Sequence, residues 1–315
     1  MAQPEDSSFF KKIIKPLSAL VPFSKQNDVS TPEFDEKVEE LTLGGKVLDE
    51  WNRSETIYSQ LISRMTKSRG IYVGTTQDQW GQSPEGELQL VFNVSATIID
   101  LFCYILSNNA PVVQFIPDGT DDIAQVRADF GETLVRKIFS DAKFHKRFKD
   151  SVKDQFLLGF CLLYQLWNKD NKDGGEKGTF ELSKLNPFTT RVRFATDDYD
   201  KVLSFITHKR MLPSEIEEKY GYVGALPDSD DVFLPETIEK VDDGMATVFR
   251  RYDDKEIVTV INGRSIKIEK QDLGFVPLEI VNNIIVPNDA HGHPETSRWT
   301  EVIQEINALL SIASE

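Results

Sequence analysis

Residues 299–313 read WTEVIQEINALLSIA, a stretch in which apolar side chains recur at the three- and four-residue spacing of one helix face. The stripe consists of Trp299, Val302, Ile303, Ile306, Leu309, Leu310 and Ala313. We predict an amphipathic helix, which Thr296 or Ser297 can cap, after a buried strand at 275–281 and a polar loop at 288–294. No Gly, Asn or Pro follows Ala313, so the periodic pattern is still running at residue 315. We therefore expect this chain to be the front part of a longer protein.

The composition is that of an ordinary globular protein with an acidic excess. Of 315 residues, 40% are hydrophobic and 28% are charged, which predicts two packed units or one domain with an extension. The 36 Lys and Arg against 51 Asp and Glu give a net charge of −15, which disfavours tight DNA binding through neutralised phosphates. No apolar run reaches the roughly 18 residues of a transmembrane helix, so no membrane partner is expected. Cys103 and Cys161 each lie in an apolar run, which predicts buried, reduced thiols.

The sequence changes along its length from helix-forming to strand-forming. We predict an α+β fold, with a helical N-terminal half packed with an antiparallel sheet or meander and an amphipathic helix at the end. The predicted parts are a mobile N-terminal arm (1–30), a helical part (31–167), a β-rich part (168–287) and a loop with the start of the last helix (288–315).

Helix signals dominate the first half. Thr31-Pro32-Glu33 predicts a helix start and Gly44-Gly45 its end, with a second helix continuing to about Arg69. Residues 94–106 are apolar enough to predict a helix buried on nearly all sides, and 112–116 predict a strand between two prolines. Asp121 or Asp122 can start the next helix, whose stripe is expected to face inward and consists of Ile123, Val126, Phe130, Leu134 and Ile138. A further helix carries Phe144, Phe148, Val152 and Phe156 on one face.

Strand signals dominate the second half. Residues 160–167 and 179–185 predict a hairpin across a Gly-rich turn. Strands at 191–194 and 202–207 and a short helix at 213–220 follow. Residues 247–252, 256–261 and 265–268 predict an antiparallel meander, in which Asn262-Gly263 is a strong two-residue hairpin signal.

Four segments carry residue types that can do chemistry. His291 and His293, with Asp289 and Glu295, can offer metal ligands, but an ordinary polar turn is the favoured interpretation because all four lie on one loop. Residues 173–179 lack the Gly-Lys-Ser/Thr ending of a phosphate loop, and 228–231 lack the Gly and Glu of a calcium loop. The basic run 143–149 is interleaved with Phe144 and Phe148, which favours a core stripe with a solvated back over a phosphate site.

The order of these elements resembles the portal proteins of tailed double-stranded DNA bacteriophages. Four places carry the resemblance: Leu90-Val-Phe-Asn93 with the following helix and Asn108-Asn-Ala-Pro111; Asp154-Gln-Phe-Leu-Leu-Gly159 with the hairpin and Leu185-Asn-Pro187; Leu273-Gly-Phe-Val-Pro277 with Val281-Asn-Asn283; and His291-Gly-His-Pro294 with the helix over 297–311. The family's clip, returning stem helix, tunnel loop and crown have no counterpart in these residues.

The resemblance implies a structural subunit and not an enzyme, with no cofactor. In that family a ring, usually of twelve subunits, lies at one vertex of the capsid in the virion and is assembled in the host cytoplasm. Its implied partners are the major capsid protein, the terminase motor, neck or adaptor proteins, and duplex DNA that passes through the channel with weak contact. From the amphipathic pattern, Trp299, Val302, Ile303, Ile306 and Leu310 are the candidate subunit interface.

Two other interpretations stay open at this level. A metal-dependent phosphoesterase or nuclease would use the acidic clusters with the loop of His291 and His293. A soluble adaptor would only bridge other proteins.

Overall fold

The computed structural model describes residues 32–75, 91–109, 112–119, 121–168, 179–196, 198–199, 201–225, 244–271, 273–287 and 289–314. The predicted N-terminal arm, the acidic loop at 228–231 and the Gly-rich turn at 169–178 lie outside these residues. The chain divides into two compact units, residues 1–39 and 40–315. The second unit contains the sheets and the core.

The protein has the predicted α+β fold, with six helices and two antiparallel sheets in the described residues. The helices are α1 (Pro32–Val73), α2 (Val94–Asn108), α3 (Asp122–Asp141), α4 (Phe144–Leu158), α5 (Pro213–Tyr220) and α6 (Thr300–Ser314). The strands are β1 (Phe160–Asn168), β2 (Thr179–Leu185), β3 (Thr190–Phe194), β4 (Val202–Met211), β5 (Ala246–Tyr252), β6 (Glu256–Ile261), β7 (Arg264–Lys270) and β8 (Leu278–Asn282).

α1 is one continuous helix where the sequence predicted two, so the predicted break at Gly44-Gly45 is wrong. A Cβ atom at Gly44 would collide with the backbone carbonyl of Gly263, at the turn between β6 and β7. Gly44 therefore allows a close approach of helix and hairpin, and it does not end the helix. Gly45 has open space around it and no such role.

The helix predicted to start at Asp121 or Asp122 is confirmed, and the strand predicted at 112–116 is not. Asp121 caps α3, since its Oδ1 accepts from the Ala124 N–H at 3.0 Å. The predicted strand at 112–116 is wrong, because these residues pair with no strand in the described part of the chain. The Phe115 ring instead fits over Gly131 of α3, where a Cβ would lie 3.0 Å from it.

The strands form a three-stranded sheet of order β2-β1-β8 and a five-stranded sheet of order β3-β4-β5-β6-β7. The predicted hairpin pairs Leu162 with Leu185, and the predicted meander is also present. At its turn Asn262 and Gly263 have φ of 49° and 77°. These are the left-handed values that a two-residue hairpin turn of this kind requires.

The core lies where α1 crosses both sheets. Tyr58, Leu61 and Met65 of α1 pack with residues of both sheets, which are Phe160, Leu162 and Leu278 of the smaller sheet and Val192, Phe205, Tyr252 and Ile257 of the larger. Nearer its start, α1 packs on the larger sheet alone, where Trp51 is fully buried with Val47 and Leu48. No described helix is both long and apolar enough to cross a membrane.

Candidate functional site

The loop of His291 and His293 is not the solvated turn that its composition predicts, because His291 is 4% exposed. Its ring centroid lies 4.8 Å from that of Phe160 and 5.3 Å from those of Tyr58 and Phe194. Its Nε2 is 3.1 Å from the Tyr58 hydroxyl oxygen. Burial lowers the pKa of His291 to about 4, since a charged imidazole would lose its hydration here. At neutral pH His291 is therefore an uncharged core residue.

His293 belongs to a half-buried polar cluster with Arg64 and Asp289. Arg64 donates to Asp289 Oδ2 at 3.1 Å and to His293 Nε2 at 2.7 Å. The same His293 nitrogen lies 3.0 Å from Asp289 Oδ2, so the three side chains form one connected cluster. Burial disfavours the Asp289 carboxylate, but the His291 N–H and the Arg64 side chain outweigh it and hold the pKa of Asp289 below its ordinary value. The cluster fastens the loop to α1.

The four candidate metal ligands all have protein partners. Glu295 is 9% exposed and accepts from Asn283 Nδ2 at 3.0 Å. Across the described ranges, no three His, Cys, Asp or Glu side chains come close enough together to hold a metal ion. The structure thus brings Asp289 and His293 together in a polar cluster with Arg64 and places His291 and Glu295 in separate buried positions.

A cleft of about 910 Å³ opens beside the loop, between α1 and β3. In its wall the buried Arg191 guanidinium lies 4.4 Å from the Trp51 ring centroid and 4.7 Å from that of Tyr58. The rim carries charges of both signs, with Asp49 and Arg53 paired at 2.6 Å. Such mixed charge gives no preference for a polyanion.

The two cysteines are buried and free, as the apolar runs predicted. Burial raises the pKa of both thiols, that of Cys161 to about 12. Neither Cys103 nor Cys161 is therefore a thiolate nucleophile at neutral pH.

The helices that the sequence predicted to be buried carry a large exposed apolar surface. We call this the α2–α3 surface; it consists of Leu101, Phe102, Tyr104, Ile105, Leu106, Val112, Val113, Phe115, Ile116, Ile123, Val126, Phe130 and Leu134, which are 39–90% exposed. Both predictions of inward packing are wrong for this chain. α2 buries Ile99 and Cys103, and α3 buries Ala124 and Ala128, so each helix packs through a narrow face and leaves its apolar stripe outside.

α6 shows the same division into a covered face and an exposed stripe. Its covered face consists of Ile303, Asn307 and Ser311, and the Phe92 N–H donates to Asn307 Oδ1 at 2.9 Å. Of the five candidate interface residues, Ile303 is buried by the chain itself, Trp299 and Ile306 are half-buried, and Val302 and Leu310 are exposed. We call the exposed residues Val302, Leu309, Leu310 and Ile312 the α6 stripe.

Sequence reasoning missed two polar residues of α1 that hold the C-terminal segment. Arg64 binds Asp289 and His293, and Ser68 lies with its Oγ 2.6 Å from the Thr296 hydroxyl oxygen. Thr296 thus bonds to α1 and is not the predicted helix cap. The available signal was spacing: Ser68 follows the buried Met65 by three residues, and a polar residue on an apolar stripe needs a buried partner.

Neither a comparison with models of protein families nor a comparison with curated proteins found any match for this chain.

Proposed function

We propose that this chain is a structural subunit of a portal-type ring at a phage capsid vertex, which forms the channel for DNA packaging and ejection. The observation that carries the proposal is the exposed apolar area of the α2–α3 surface and the α6 stripe. The hydrophobic effect favours covering large apolar side chains that a subunit leaves exposed in such number.

The exposed apolar side chains supply part of the area that a stable contact between subunits needs. In the described residues the two surfaces contain seventeen large apolar side chains, five on α2, four at 112–116, four on α3 and four on α6. At about half exposure, such side chains present on the order of 500–1,000 Å² together. A stable interface buries about 800 Å² on each partner, or about 1,600 Å² in total, so these side chains account for roughly half of it.

The charge of the chain agrees with a channel through which DNA slides. A polyanion is held by rows of Lys and Arg that release its counterions, whereas a wall with acidic excess holds it weakly. The net charge of −15 supports weak contact between DNA and the wall of the proposed channel. In the proposed ring the chain has no catalytic group and no cofactor of its own, and its partners are the major capsid protein, the terminase motor and the neck or adaptor proteins.

The mass of the assembly tests the proposal. Native mass spectrometry and multi-angle light scattering of the 315-residue chain should show a closed ring, which we expect to contain twelve copies. A monomer at every concentration, or a dimer that grows no further, would contradict the proposal. A dimer would also point to a two-fold contact, which uses one surface twice and cannot build a larger ring.

A further inference from the structure

The exposed face of α3 contains one basic residue within an apolar stripe. Ile123, Arg127, Phe130 and Leu134 follow one another at spacings of four, three and four residues, so they share a face of the helix. Arg127 is exposed. It forms no ion pair with any residue that the structure describes, although Arg136 on the opposite side of α3 pairs with Glu132.

The exposed face of α6 contains one acidic residue within an apolar stripe. Val302, Glu305, Leu309 and Ile312 follow at spacings of three, four and three residues, again on one face. Glu305 is exposed and likewise has no ion-pair partner within the described ranges. α6 has no basic residue of its own that could neutralise it.

The two stripes are similar in length and opposite in charge. At 1.5 Å per residue, each spans about 15 Å. When the helices run antiparallel with Arg127 opposite Glu305, the spacings coincide: Ile123 and Leu309 each lie four residues from the charge, and Phe130 and Val302 each lie three residues from it. A charge pair flanked by apolar contacts in this way sets the register and the choice of partner between two helices.

We infer that α3 of one copy packs antiparallel against α6 of the next copy, with Arg127 paired to Glu305. This inference rests on the proposed ring and names the surfaces that build it. The contact joins two different surfaces, which is the head-to-tail arrangement that closes into rings of more than two copies. A second copy is the occupant because both halves of the complementary pair are exposed on the same chain.

Charge reversal at the two positions tests the contact. Arg127→Glu places Glu against Glu, and Glu305→Arg places Arg against Arg. Each variant alone should need at least about tenfold more protein to assemble, since like charges in a contact cost several kcal/mol. An equimolar mixture of the two should assemble as the parent does, with both variants in equal amounts, because every junction is again an Arg–Glu pair. Arg136→Glu is the matched control on the opposite side of α3 and should assemble like the parent.

The outcomes separate this inference from the proposed function. If the parent chain is monomeric, the ring itself is wrong. If the parent forms a ring and both reversal variants form it equally well, or if their mixture is not restored, the α3–α6 contact is wrong and the ring stands. Circular dichroism of each variant should match the parent, because neither side chain has a partner within the described chain.

Discussion

The imidazole of His291 is buried, and its lowered pKa makes the stability of the fold depend on pH. Folding lowers its pKa from 6.5 to about 4, so between these values the unfolded chain binds more protons than the folded one. The free energy of unfolding should therefore fall as the pH drops from 6.5 to 4, with a total of about 3 kcal/mol from this residue.

Urea denaturation of the parent and of His291→Phe across this pH range measures the effect. Phe keeps an aromatic ring in the cluster but cannot titrate, so the unfolding free energy of the variant should depend less steeply on pH. Curves that run parallel for the two proteins would show that His291 does not titrate on unfolding.

At the scale of single residues, the sequence predicted those features whose causes are local. Asp121 as a helix cap and Asn262-Gly263 as a turn depend on neighbouring residues along the chain, and both predictions are confirmed. The burial of His291 depends on Tyr58 and Phe194, which come from distant segments. A polar loop sequence contains no sign of such partners.

At the scale of elements, substitutions at the two adjacent glycines of α1 should have opposite effects on stability. Gly44→Ala should destabilise the protein by more than about 2 kcal/mol, because the new Cβ meets the Gly263 backbone, which cannot move as a flexible side chain can. Gly45→Ala has open space and should stabilise the helix by about 0.5–1 kcal/mol. Thermal unfolding of both variants checks the pair. Equal effects would contradict the close contact between helix and hairpin.

The two faces of α6 should separate folding from assembly. Ile303→Asp buries a charge and should prevent stable folding, whereas Leu309→Asp lies at a 61% exposed position and should change the stability of the subunit by less than about 0.5 kcal/mol. Leu309→Asp should nevertheless prevent ring formation. Urea unfolding and light scattering on the same samples measure both effects, and a Leu309→Asp variant that assembles like the parent would remove the α6 stripe from the interface.

The pattern of an amphipathic element predicts that one face will be covered, but it does not say by what. For α3 the sequence predicted the stripe of Ile123 and Phe130 correctly as a stripe and wrongly as part of the chain's own core. The small residues Ala124 and Ala128 make the contact within the chain. Small residues such as Ala contribute little to a hydrophobicity pattern, even where they pack most closely. The pattern therefore favoured the face with Ile123 and Phe130 as the buried one.

At the scale of the whole molecule, the acidic excess predicts weak binding of duplex DNA. We expect a short labelled duplex to bind only non-specifically, with a Kd of about 10⁻⁴ M or weaker near physiological salt. Fluorescence anisotropy at two salt concentrations measures this affinity. Micromolar binding that persists at the higher salt, or cleavage of the duplex stimulated by a metal ion, would contradict the passive channel and favour a nuclease.

The position of β1 between β2 and β8 has a consequence for the order of events during synthesis. Phe160 lies opposite Asn282, so one edge of β1 keeps its backbone groups unpaired until residues 278–282 have left the ribosome. α6 follows β8 in the chain. The α6 stripe is therefore synthesised after the strand that completes the smaller sheet. In the proposed ring, a nascent or truncated chain that lacks α6 cannot form the contact that this stripe makes with a neighbouring copy.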